Sequence, residues 1–121
     1  MSTVDVLRAY GMAWAEPDAD KRVKWLEQCW ADDGVYQDPS SDVTGREALV
    51  QHIGDQHKAF PGSRVELTSG FSEHHGKIQF LWRFVNAEGE VVINGIDFGT
   101  LDEDGRLCQI VGFFGPPPEL E

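Results

Sequence analysis

Between Phe60 and Arg64 the hydrophobic period of this chain changes, and the change divides it into a helical half and a sheet half. Up to Phe60 the apolar residues recur at three- and four-residue spacing, and from residue 64 they alternate. Pro61-Gly62 marks the break. Helices first and strands afterwards, in 121 residues, predict a single α+β domain whose helices cover one face of a curved, mostly antiparallel sheet.

In the helical half, Leu7, Tyr10 and Trp14 share one face of a helix over residues 3–16, with Asp5 in its first turn and Pro17 stopping it. Asp18 or Asp20 caps a second helix whose buried stripe is Val23, Leu26 and Trp30, with Cys29 beside it. Asp32-Asp33-Gly34 reads as an acidic turn, followed by a short strand over about residues 34–38. Pro39 keeps Asp38 in extended geometry, so its carboxylate projects from a defined place at a strand end. The polar loop Ser40–Gly45 leads to a third helix over about 46–60 with Leu49, Ile53 and Phe60 on its apolar face; His57 shares that face and His52 does not.

In the sheet half, Val65, Leu67 and Phe71 begin a strand that ends in the turn Glu73-His74-His75-Gly76. Ile78, Phe80, Trp82 and Phe84 alternate along the next, Val91–Leu101 forms another, and Asp102-Glu103-Asp104-Gly105 is a hairpin turn into Leu107–Phe114. Gly115-Pro116-Pro117-Pro118 cannot continue a ladder, which predicts a domain over residues 1–115 and a proline-rich tail over 116–121.

The formal net charge of −11, with no Lys/Arg cluster, argues against nucleic acid or an anionic membrane surface as partner, because both demand positive charge. The first residues have neither a basic region nor an apolar run, and no window approaches the roughly 18 apolar residues of a membrane span. The expectation is a cytoplasmic protein. Cys29 and Cys108 read as reduced thiols. Two cysteines and four scattered histidines do not suggest a metal site, phosphate-binding glycine loops are absent, and no cofactor is called for.

Asp97 is the unusual residue of Ile93-Asn94-Gly95-Ile96-Asp97-Phe98-Gly99, an acid inside an apolar strand with a glycine two residues away on either side. Facing the helices, it would have open space beside it over Gly95 and Gly99, as a ligand pocket requires; facing outward, it is a solvated sheet residue. Burial would raise its affinity for a proton and let it donate a hydrogen bond. Asp38, near loops and water, suits the opposite role of accepting one, although a turn-forming residue before proline is its simpler reading. Tyr10 is either core or a donor to ligand. Tyr36, two residues before Asp38, either lines a pocket or packs, and His57 is either a satisfied core histidine or an acid–base group. His74 and His75 read as turn residues.

These segments resemble the nuclear transport factor 2-like superfamily, in particular SnoaL-like polyketide cyclases and ketosteroid isomerases. The resemblance rests on Trp30-Ala31-Asp32-Asp33-Gly34-Val35-Tyr36-Gln37-Asp38-Pro39, on Gly45-Arg46-Glu47-Ala48-Leu49, on Gly95-Ile96-Asp97, on Asp104-Gly105-Arg106-Leu107 and on Gly112-Phe113-Phe114-Gly115, and it covers nearly the whole chain. It implies a cone-shaped α+β barrel with an apolar pocket between helices and sheet, commonly a homodimer through the outer sheet face. It further implies Asp38 as general base, with Tyr10 and a protonated Asp97 as the oxyanion hole. Arg83 followed by Val85 lacks the Arg and Asp pair of limonene epoxide hydrolases on the same fold. The function implied is proton transfer beside a carbonyl in an apolar small molecule, with Tyr36, His57, Phe80, Trp82, Phe84, Ile110 and Phe114 contacting the ligand. A binding or dimerisation domain without turnover is the alternative.

Overall fold

The computed structural model describes residues 1–121. The first helix, α1 (Thr3–Ala15), starts from a capping box in which the Ser2 hydroxyl accepts from the Asp5 amide and the Asp5 carboxylate accepts from the Ser2 amide, both at 3.2 Å. Its buried face is Val6, Leu7, Ala9, Tyr10, Ala13 and Trp14. Asp18 caps α2 (Ala19–Cys29), its Oδ1 accepting from the Asp20 amide at 2.8 Å.

On α2 the buried position belongs to Arg22, 2% exposed, and not to Val23, which is 37% exposed. The reason is polar. The Arg22 guanidinium donates to the carbonyls of Glu16, Pro17 and Val50 at 2.8–3.1 Å, which ties the linker between the first two helices to the third helix. Periodicity alone ranks valine above arginine for such a place, whereas three converging carbonyls select the residue with a fork of donors.

The chain passes from α2 straight into β1 (Trp30–Asp38), which therefore begins earlier than the alternation suggests. Asp32-Asp33-Gly34 is an irregularity inside this strand, where the register shifts between Trp30 and Val35. Gly34 is needed there because the Trp30 indole lies across it, and a Cβ would sit 2.4 Å from its Nε1. Residues expected as loop form a further strand, β2 (Ser41–Thr44), which folds back on β1 from Val35 opposite Thr44 to Asp38 opposite Ser41. Then come α3 (Arg46–Ala59), β3 (Arg64–His74), β4 (Lys77–Val85), β5 (Val91–Leu101) and β6 (Leu107–Phe114).

The sheet order is β2-β1-β6-β5-β4-β3. From β3 to β6 it is an antiparallel meander, but β1 joins β6 in parallel, so the sheet is mostly and not wholly antiparallel. Its ends, β2 and β3, remain unpaired with each other, and the curved sheet does not close into a barrel. The three helices pack on one face over a core that includes Leu26, Trp30, Leu49, Ile53, Leu107 and Ile110. The opposite face exposes Leu81, Phe98 and Phe113. Cys29 and Cys108 are free thiols. No helix is long and apolar enough to cross a membrane.

Chemical denaturation should separate the two neighbours on α2. Arg22→Ala is expected to cost about 2–4 kcal/mol, since it strips the donors from three carbonyls, and Val23→Ala less than about 0.5 kcal/mol.

Candidate functional site

Three adjacent strands set the chemistry of one cavity. Asp97 on β5 stands opposite Gly112 on β6, and Gln37 on β1 stands opposite Val111, so Asp38 comes level with Gly112 from the other side. Both carboxyls share the inner face of the sheet with the glycine between them. A Cβ on Gly112 would lie 2.7 Å from Asp97 Oδ1 and 3.6 Å from Asp38 Cβ, so only glycine leaves both acids their positions.

The inward face of β5 is Gly95, Asp97 and Gly99, and Phe98 points out. The two glycines do not flank empty space, as the strand pattern suggested. The Trp82 indole covers Gly95, where a Cβ would be 2.1 Å from Cζ2, while Ile78 and Ile110 close over Gly99 at 3.0 Å. Gly95 serves to lay Trp82 flat enough for its Nε1–H to donate to Asp97 Oδ1 at 2.9 Å. Asp97 is 6% exposed. Burial pushes its carboxyl up to about 7; the Trp82 hydrogen bond opposes this and the nearby Asp38 adds to it.

Asp38 is oriented by three donors. The Tyr36 hydroxyl donates to Oδ2 at 2.7 Å, and the Ser40 amide and hydroxyl donate to Oδ1 at 2.9 and 3.2 Å, in the tight turn that Pro39 opens into β2. Tyr36 is itself buried, its ring set between Trp14 and His52 at centroid distances of 5.4 and 5.6 Å. Desolvation first, and donation to Asp38 second, push its phenol upward. Tyr10, also buried, stacks on Trp30 at 5.9 Å, and its hydroxyl has no partner. Burial raises the Tyr10 phenol well above its ordinary range and the charge of Asp97 raises it further.

These groups open on a cavity of about 270 Å³ between α1 and the sheet. Tyr10, Tyr36, Asp38, Asp97, Trp82, Phe84 and Phe114 all reach it, so the three residues assigned to proton transfer share one space. Three residues expected on its wall do not. Phe80 and Ile110 are buried in the core beneath, and His57 is turned away, its Nε2 at 2.9 Å from the Trp14 carbonyl. Alternation identified the face of β4 that points inward but not how far along that face the cavity extends.

Other wall residues carried no sequence signal of function: Trp14, Gln56, Phe60 and Ser40. Phe60, assigned to the buried face of α3, is instead 52% exposed at the cavity's edge, packed edge-on to Phe84 at 5.6 Å. Trp14 was legible only as core, although its spacing of four from Tyr10 puts both on one helical face. No Lys, Arg or His lines the cavity, and nowhere do three His, Cys, Asp or Glu side chains gather as metal ligands would.

The family model of the SnoaL-like domain matches residues 6–110. Among solved structures, a candidate isomerase of the SnoaL-like family from Agrobacterium tumefaciens is 29% identical with a TM-score of 0.87, covering 96% of this chain and 100% of that one. A candidate polyketide cyclase from Sinorhizobium meliloti is 17% identical with a TM-score of 0.71, over 93% of this chain and 99% of that one. A hypothetical protein with a ketosteroid isomerase-like fold from Catenulispora acidiphila, in complex with trimethylamine, is 13% identical with a TM-score of 0.72, over 91% of this chain and 85% of that one. At their identities the last two share the fold alone. No curated protein matches the chain.

The raised Asp97 carboxyl fixes a sign. A buried acid whose folded value exceeds its unfolded one favours folding most below the unfolded value, and that contribution is lost as pH rises through the folded value. Between about pH 4 and pH 7 the wild type should therefore lose about 3 kcal/mol relative to Asp97→Asn, as read from denaturant midpoints across that range.

Proposed function

The chain belongs to the SnoaL-like domain family, and on that premise we propose that it is a small enzyme moving a proton on a carbon beside a carbonyl in an apolar molecule. Asp38 accepts the proton. Asp97, protonated, and Tyr10 donate hydrogen bonds to the oxygen on which negative charge develops. The observation that carries this reading is the pair of carboxyls flanking Gly112 on one cavity wall, one oriented by three donors and the other desolvated until it holds its proton near neutrality.

An apolar wall built from Trp82, Phe84 and Phe114 favours a ligand that is mostly hydrocarbon. The cavity lies near the lower end of ligand pockets, which run from about 300 Å³ upward, so the reacting part of the substrate is compact. The chemistry needs no cofactor in this scheme. The partner we propose besides the ligand is a second copy of the chain, docked through the outer sheet face around Leu81, Phe98 and Phe113. We propose a cytoplasmic setting, with neither nucleic acid nor membrane as partner for so acidic a chain.

A binding domain without turnover is the second reading. Its support is the solved neighbour of the same fold that holds trimethylamine.

Asp38→Asn separates the two. Exchange of the proton beside the carbonyl of a ketone or enone should fall by about 100- to 10,000-fold while binding of the same compound persists. An unchanged exchange rate would remove Asp38 from the role of base. Since donation requires the protonated carboxyl, the wild-type rate should also fall on the alkaline side with an apparent value of about 7.

A further inference from the structure

Three large apolar side chains that line the cavity are also exposed: Phe60 at 52%, Val92 at 56% and Phe114 at 38%. They gather at one end of the sheet. Phe60, just past α3, packs edge-on against Phe84; Phe84 stands opposite Ile93, the neighbour of Val92; and Phe114 stands opposite Gly95, two residues further along β5. Val92 arrives there through a bulge. Phe84 is paired with Ile93 and Val85 with Val91, so Val92 has no partner on β4, and it reaches the cavity where strict alternation would turn it out with Phe98. Single exposed apolar residues need no explanation, but a group of them around a cavity mouth marks a surface that a ligand covers.

This rim is far from the acids. Val92 lies five residues from Asp97 on β5, roughly 16 Å along a strand. Asp38 and Asp97 are the only charged residues on the cavity wall, so nothing on it would pair with a charged group at the mouth. A second copy docked on the outer sheet face would meet Phe98 and Phe113, which pack on each other away from the cavity, and would leave the rim uncovered.

We propose that Phe60, Val92 and Phe114 form a subsite for the hydrocarbon tail of the ligand, outside the hollow that holds its reacting head. The substrate class is then a long-chain neutral ketone or enone, with a compact head beside the carboxyls and an uncharged tail running along β5 to the mouth. The inference rests on the proton-transfer reading for which end of the ligand points inward, but the tail subsite can be measured without turnover.

A series of methyl alkyl ketones, from methyl butyl to methyl decyl ketone, tests it. In the wild type, affinity should rise by about 2- to 4-fold for each added methylene through the longest member. In the complex with methyl decyl ketone, the terminal methyl should show magnetic cross-relaxation with the Phe60 ring and the Val92 methyls. Phe60→Ser and Val92→Ser should each cut the ratio of decyl- to butyl-ketone affinity by about 5-fold, while Leu81→Ser on the outer face leaves that ratio as it is in the wild type.

Affinity that stops rising at the hexyl member would overturn the proposal, as would a terminal methyl lying against Trp82 instead of Phe60. A Phe60→Ser protein with an altered monomer–dimer equilibrium and an unaltered ratio would overturn it by making the rim a contact between copies. Failure of every ketone to bind would overturn it too. Rim contacts without exchange of the protons beside the carbonyl uphold the subsite and sink the catalytic reading. Exchange of those protons with affinities indifferent to chain length does the reverse. Both the series and the cross-relaxation are read in the wild type, so the outcome does not hang on either variant folding.

Discussion

The parallel pairing of β1 with β6 is what the site depends on. Every other strand neighbour in this sheet could form from a local hairpin, but β1 reaches β6 across the whole domain. That pairing draws Asp38 level with Gly112 and hence with Asp97, two strands away. Strands lie about 4.8 Å apart, so the carboxyls are close enough for one charge to be felt by the other and far enough for a ligand atom to enter between. Sheet register, unlike loop geometry, is enforced by the whole buried face on either side, since a slip of one residue would turn Asp97 out to solvent and Phe98 in.

Small residues on this face serve large ones. Gly95 makes room for Trp82, Gly34 for Trp30 and Gly112 for the two acids. In each case the missing Cβ lets a bulky or charged neighbour lie against backbone. The three are therefore parts of the site's construction although none carries a functional group. Trp82 shows the consequence, for it is at once the wall of the cavity and the single hydrogen-bond donor to Asp97.

Much of the fold was legible because its signals are local. The change of period at Pro61-Gly62, the hairpin turns and the cap on α2 each need only a few neighbouring residues. Asp97 was legible as an inward acid for the same reason, from Ile96 and Phe98 taking the other face. What the chain order concealed is non-local. Arg22 takes the buried place expected for Val23 because the Val50 carbonyl, from the third helix, converges there with two carbonyls of the preceding linker. Ser41–Thr44 becomes a strand because β1 offers it an edge. The fate of the space over Gly95 and Gly99, and the exclusion of Phe80, Ile110 and His57 from the cavity, depend on which side chains arrive from other strands and helices.

The balance of donors and acceptors in the cavity explains why its two walls differ. On the sheet side each acid has an aromatic donor of its own, Trp82 for Asp97 and Tyr36 for Asp38, so the polar groups there are paired. On the helix side the Tyr10 hydroxyl and the Trp14 N–H are buried without partners. Burial raises the Asp97 carboxyl to about 7, while three donors orient Asp38, so the two acids that flank Gly112 meet one cavity from different electrostatic surroundings. A hydrogen-bond donor and a proton acceptor on one wall require that kind of asymmetry, which two carboxyls in equal surroundings would lack.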